Sequence, residues 1–202
     1  MMKNTEWGAI AYLSKSIYGQ GSNEVWINPA DNFTTGCAGD SFNSSPTSGC
    51  LRKYNTPNGQ KASTTGNIYG VYDMSGGACE YTASYINNGH NNLTEHGKSA
   101  FSSHIKYIDI YKAGSVDSDK NNYNSTIYNK GDAIYETSND HIGIGSWYSD
   151  FSFTPKQERP WFRRGGDYTN GNAAGVFAFY DESGAAISYF GFRPTLFVGP
   201  EL

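Results

Sequence analysis

The chain has 202 residues and a formal charge of −4, with 37% hydrophobic and only 17% charged residues. Its 22 Ser, 14 Thr, 19 Asn and 24 Gly make the polar portion largely uncharged, while 15% aromatic content excludes ordinary disorder, which lacks such apolar groups. No apolar run approaches the roughly 20 residues of a membrane span, and the acidic balance argues against a phosphate-tracking surface for nucleic acid.

Met1-Met2-Lys3-Asn4 leads directly into folded-looking sequence, so the chain reads as a piece of a longer protein. From Glu6 to Tyr18, apolar residues recur at helical spacing, with Asn4 or Thr5 as cap and Gly19 as stop. Residues 20–66 read as irregular. Cys37 and Cys50 lie there in similar Thr-Gly-Cys and Ser-Gly-Cys contexts, either as a disulfide or as two loop thiols.

Residues 67–74 predict a short strand or turn, 75–77 a glycine turn, and 78–83 a second strand holding Cys79 as a small core residue. Residues 86–160 are polar, with apolar islands at Ile105–Tyr111 and Ala133–Tyr135. Three aromatic patches bounded by glycine, at 161–166, 176–180 and 189–197, predict strands of a tightly turned antiparallel sheet. Phe177 and Phe179 share one strand face as core, leaving Ala178 and Tyr180 on the other. Trp161 and Phe192 are also expected in the core. No CxxC pair suggests structural zinc, and His90, His96, His104 and His141 are scattered. The whole chain, 1–202, reads as one domain.

Asn67-Ile68-Tyr69-Gly70-Val71-Tyr72-Asp73-Met74-Ser75-Gly76-Gly77-Ala78-Cys79-Glu80-Tyr81 resembles the N-x-[FY]-G-L-[YW]-D-M-x-G-N-x-W-E-W signature of the formylglycine-generating-enzyme family. Arg164-Gly165-Gly166-Asp167-Tyr168 resembles its later R-G-G element, and Gly191-Phe192-Arg193-Pro194 its closing G-F-R. The resemblance implies an α+β, C-type-lectin-like fold: a small twisted antiparallel sheet, few helices and long ordered loops. The enzyme's copper chemistry uses a cysteine pair shortly after R-G-G, and residues 167–202 contain no cysteine.

The same scaffold serves, without catalysis, in the variable proteins of diversity-generating retroelements, and residues 161–194 are similar to such a variable region. An Asn codon randomised at its adenines never yields Lys, Glu, Gln, Met or Trp. Across Asp167–Phe192 only Glu182 belongs to those five. The resemblance implies a non-enzymatic domain, extracellular on a phage tail or bacterial cell surface, whose partner is a macromolecular receptor, protein or glycan. The expected contact residues are Asp167, Tyr168, Asn170, Asn172, Tyr180, Asp181, Ser183, Ser188 and Tyr189. Their Tyr/Ser/Asn/Asp vocabulary suits a paratope, since tyrosine gives large contact area at low entropic cost. Arg164 and Arg193 are expected as framework, each able to tie loops through several hydrogen bonds.

In the enzyme family the D-M-x-G-x-x-x-E turn can hold calcium. The matching positions here are the side chains of Asp73 and Glu80 and the carbonyls of Gly76 and Ala78; the opposing expectation is that Glu80 pairs with an arginine. No cofactor is otherwise implied. The competing functions are a formylglycine-generating-type oxidoreductase and a carbohydrate lectin of fixed specificity.

Overall fold

The computed structural model describes residues 1–29, 53–114, 131–138 and 143–196; Cys37, Cys50 and His141 lie outside them. Helix α1 spans Asn4–Ser14. It starts two residues before the expected Glu6 because its first N–H groups find acceptors on the sheet. The Asn4 N–H donates to Ser84 Oγ (2.9 Å), and Thr5 donates through N–H and Oγ1 to Asp109 Oδ2 (2.8 and 2.9 Å). The Glu6 carboxylate reaches back to the Lys3 N–H (2.9 Å). Two carboxylates at the N-terminus also complement the helix dipole. The helix ends four residues before the expected Tyr18, because the chain turns back on the last carbonyls. The Gln20 N–H donates to Ser14 O at 2.6 Å, and a Cβ at Gly19 would stand 2.3 Å from Leu13 O. Ile17 and Tyr18 are left in solvent.

Three one-turn helices follow: α2 (Pro57–Gln60), α3 (Asn92–Glu95) and α4 (Lys98–Phe101). The strands are β1 (Cys79–Asn87), β2 (Asp109–Lys112), β3 (Trp161–Gly165), β4 (Gly175–Glu182) and β5 (Phe190–Phe192). Along the sheet the order is β2-β1-β3-β4. β1–β3 and β3–β4 are antiparallel, as expected, but β2 and β5 both run parallel to β1. β2 pairs with residues 84–87 of β1 and β5 with residues 79–81, so the sheet is mixed. Residues 67–74 form turns instead of a strand. Asn67 Oδ1 accepts from the Tyr69 N–H (2.9 Å), a local bond that competes with sheet pairing, and Tyr69 projects outward.

Two clusters fill the space on the α1 side. Trp7 and Ala11 of α1 meet Val25, Met74, Val176 and Phe177; Ile86, Tyr111, Ile134, Phe162 and Phe179 continue the layer. On the opposite face Tyr85, Leu93, Ile108 and Trp161 pack beneath α3 and α4. Each fully buried aromatic or aliphatic side chain contributes about 1.5–3 kcal/mol relative to exposure. The chain is therefore an α+β protein with few helices.

Arg164 is buried completely in the first of these faces. Its Nε donates to Ala178 O (3.0 Å), Nη1 to Asp132 O (3.0 Å), and Nη2 to Ala133 O (2.9 Å) and Val176 O (3.5 Å). The indole of Trp7 lies 5.7 Å from its guanidinium carbon. The nearby Asp132 carboxylate accepts from the Tyr111 hydroxyl (2.8 Å) and the Ile134 N–H (3.1 Å). Burial lowers Arg164 to about 10, which leaves it charged at neutral pH, and raises Asp132 to about 7.

Replacing Arg164 by Met should cost about 3–5 kcal/mol in urea unfolding, because one partner of a buried charge network is removed. Lysine should recover little of this, since a compact ammonium cannot span the four carbonyls. Asp132 predicts a pH dependence. Its pKa is raised from 3.8 to about 7, so the native state binds the proton more tightly than the unfolded chain. The contribution is complete below the unfolded value and is lost as pH rises through the folded one. Between those two pH values the parent should therefore lose stability relative to Asp132→Asn. A difference that stays flat across that window in chemical denaturation would exclude this role.

Candidate functional site

Alternation along the strands divides the sheet's side chains. Arg163 lies opposite Tyr180 on β4 and opposite Tyr81 on β1, while Phe192 of β5 pairs with Tyr81. These residues share the face away from α1. The end of that face bearing Tyr85 and Trp161 is covered by α3 and α4, whereas the end around Arg163 is not. There the Arg163 guanidinium carbon sits 4.0 Å from the Phe190 ring centroid and 5.0 Å from that of Tyr180, with Nη2 3.3 Å from Glu182 Oε2. Phe190 meets Tyr81 and Tyr189 edge-on (5.7 and 4.9 Å), and Tyr189 meets Tyr168 edge-on at 6.5 Å. A row of aromatics thus runs from Tyr81 to Tyr168.

The nine expected contact residues divide by environment. Asn172 and Ser188 are exposed, and Tyr168 and Tyr189 are half-buried with their rings in the aromatic row. Asn170 and Tyr180 are half-buried and built into the loop. Asn170 Oδ1 accepts from both the Asp167 N–H and the Tyr180 hydroxyl, each at 2.8 Å. The Tyr180 ring also packs on Phe151 and Phe153 (5.2 and 5.8 Å). Asp167 is buried, and its Oδ1 accepts from the N–H (2.9 Å) and hydroxyl of Thr169. Asp181 is also buried and faces Lys156 and Arg159. Ser183 Oγ bonds to Glu182 Oε1 (3.2 Å).

Arg163, Tyr81 and Phe190 belong to this surface but escape a reading confined to residues 167–189. The alternating aromatics of Tyr189-Phe190-Gly191-Phe192 were the available clue. Phe192 departs from its expected core position: it is 64% exposed. β5 is only three residues long, and its last side chain lines an open pocket with Trp161 and Ala100 of α4 instead of being covered. Trp161 is buried as expected, and its Nε1–H donates to Asn92 O (3.2 Å).

The four positions drawn from the calcium-binding turn sit at the base of the face. Both Glu80 oxygens accept from Arg193, the Nε contact at 3.0 Å, and Arg193 Nη2 also donates to Asp73 O (3.0 Å). Burial raises Glu80 while Arg193 opposes the shift. A guanidinium thus occupies one of the two side-chain ligands of this turn, Glu80, and a metal there would have to displace it. Among the described residues no three His, Cys, Asp or Glu side chains form a metal-holding group. The turn is further fixed by Gly76 N–H to Gly165 O (3.0 Å) and Tyr168 N–H to Gly77 O (2.8 Å). Gly165 and Gly166 both adopt positive φ (86° and 70°), and a Cβ at Gly166 would stand 2.7 Å from Ala174. Cys79 is buried beneath this turn, where burial pushes its thiol up to about 12 and keeps it neutral.

The hydrogen bonds separate two asparagines that look alike in sequence. Asn170→Ala should cost about 1–2 kcal/mol by leaving the Asp167 N–H and Tyr180 hydroxyl without their shared acceptor. Asn172→Ala should stay within about 0.5 kcal/mol, as an exposed substitution does. Equal melting shifts for the two variants would exclude this anchor role. No protein family, curated protein or solved structure matches the chain.

Proposed function

We propose that this chain is a non-enzymatic ligand-binding domain of the C-type-lectin-like, formylglycine-generating-enzyme-like type. Its variable surface is of the kind that diversity-generating retroelements produce, displayed outside the cell on a phage tail or bacterial surface. The carrying observation is the separation of framework from surface. Arg164 holds its loops through main-chain carbonyls and Arg193 holds the 73–80 turn through the Glu80 carboxylate and the Asp73 carbonyl, while Tyr168, Asn172, Ser188 and Tyr189 reach solvent from the segment resembling a variable region. Side chains at such positions can change without removing the bonds that shape the backbone. Tyr168 and Tyr189 also give aromatic area on a surface without deep enclosure, which suits a macromolecular partner.

Two measurements test this reading. The gene should lie beside a near-identical repeat and a reverse-transcriptase gene, the two copies differing mainly at adenines; a genome without such a repeat would remove the retroelement origin. A library randomised at Tyr168, Asn172, Ser188 and Tyr189 should retain folding, most members lying within about 1 kcal/mol of the parent. Widespread unfolding in that library would mean that these side chains are framework.

A further inference from the structure

We infer that a pocket at the outer edge of β4, beside this face, is a subsite for a carboxylated sugar ring, its exposed cationic rim set by Lys156 and Arg159, which precede the variable-like segment. The inference rests on the reading of the face as a binding surface. The pocket has a volume of about 270 Å³ and is lined by Phe153, Lys156, Arg159, Arg163, Tyr180 and Asp181. Three cations and one carboxylate line it, although the chain as a whole carries a formal charge of −4. Arg163 is paired with Glu182 at 3.3 Å and Lys156 lies 3.7 Å from Glu158, so the cation the pocket offers to an anion is Arg159, the most exposed of the three.

The ion pairs inside the pocket are long. Arg159 Nη1 lies 3.7 Å from Asp181 Oδ1, and Lys156 Nζ lies 3.8 Å from Asp181 Oδ2. Charge-assisted hydrogen bonds close to about 2.7–2.9 Å, so these contacts are Coulombic and leave donor geometry to spare on Arg159. Its side chain is 47% exposed, and its planar fork can take a carboxylate on two parallel N–H groups. Arg163, which is almost entirely buried, has an Nε with no hydrogen-bond partner among the described residues.

The rest of the lining sets the ligand's shape. Phe153 and Tyr180 stack at 15° and 5.8 Å, giving an aromatic wall beneath the cationic rim. An apolar wall with a charged rim matches a ring that has a C–H face and a carboxylate substituent, such as a uronic acid. The volume lies just below the roughly 300 Å³ at which pockets begin to enclose drug-sized molecules, which is room for a single ring. An acidic side chain of a protein partner would use the same cations but would leave the aromatic wall largely uncovered.

Lys156 and Arg159 fall before Trp161, where the variable-like segment starts. They would remain constant while residues 167–189 changed. Tyr180 and Asp181 belong to the changing stretch, so a diversified form would keep the cationic rim and Phe153 and vary the rest of the wall.

The test is NMR titration of the full chain with three probes: glucuronate, its neutral twin glucose, and the ring-less carboxylate N-acetylglutamate amide. Glucuronate should bind at least about tenfold tighter than either control, a difference of about 1.4 kcal/mol. Its shifts should centre on Arg163 Nε–H and the rings of Tyr180 and Phe153. Arg159→Gln should lose about tenfold in glucuronate affinity while its melting stays at the parent value. Tyr168→Ala and Tyr189→Ala should leave that affinity unchanged. Equal binding of the ring-less carboxylate would overturn the sugar assignment in favour of an acidic side chain. No saturable glucuronate binding, or shifts that avoid these residues, would overturn the subsite altogether. Should Arg159→Gln fail to fold, the shift map on the parent decides alone. Failure of the subsite leaves the adenine-specific repeat untouched, and absence of that repeat leaves the titration untouched.

Discussion

The structure depends on a guanidinium that has no access to water. Removing a charged group from water is costly unless its donors are answered, and Arg164 is answered almost wholly by main chain. That requirement constrains two separate segments at once. Residues 132–133 must bring their carbonyls to the same place as those of Val176 and Ala178 on β4. Ala133 accepts a positive φ of 55° in doing so, a conformation that costs a non-glycine residue energy. The Asp132 carboxyl group then sits close by, itself held by Tyr111 of β2. One side chain thus links β2, β3, β4 and the 132–134 turn.

The neighbouring arginine has a different fate, and a single-residue step on a strand accounts for it. Arg163 and Arg164 are adjacent on β3, so pleating sends them to opposite faces. Arg164 enters the layer under α1. Arg163 enters the other face, where Phe190 and Tyr180 flank it and Glu182 pairs with it. The aromatic face is in this sense a by-product of the core: the register that buries Phe162 and Phe179 also places Arg163 opposite Tyr180. A slip of one residue would exchange the two arginines and destroy both arrangements.

Much of the antiparallel centre was legible in the sequence, because β3 and β4 are short aromatic runs closed by glycine. Helix α1 was legible in its middle but not at its ends. Its true N-terminal acceptors, Ser84 and Asp109, lie some 80 and 104 residues away in sequence and no local pattern announces them. The parallel pairings of β2 and β5 with β1 are nonlocal for the same reason. For residues 67–74 the sequence left strand and turn both open, and the Asn67 side chain decides for the turn by accepting from the Tyr69 N–H. At the face itself the residue vocabulary was readable, but the distinction between Asn170 and Asn172 was not. It depends on where Asp167 and Tyr180 place their donors.

That distinction bears on how a variable surface keeps its shape. Loops that must present changing side chains lose affinity if they are ordered only on binding, since the ordering entropy is then subtracted from the contact energy. Here the 165–174 loop carries its own restraints: three glycines at positive φ, the Asn170 acceptor, and Asp167 bonded to Thr169. The 73–80 turn beneath it is pinned by Arg193. Tyr168 and Tyr189 have only two side-chain torsions each, so little freedom remains to be lost at contact. The loop proposed to vary is thus braced by a small set of residues, Asn170 among them. A diversifying mechanism that altered Asn170 would therefore trade shape for variety, whereas one that altered Asn172 would leave the brace in place.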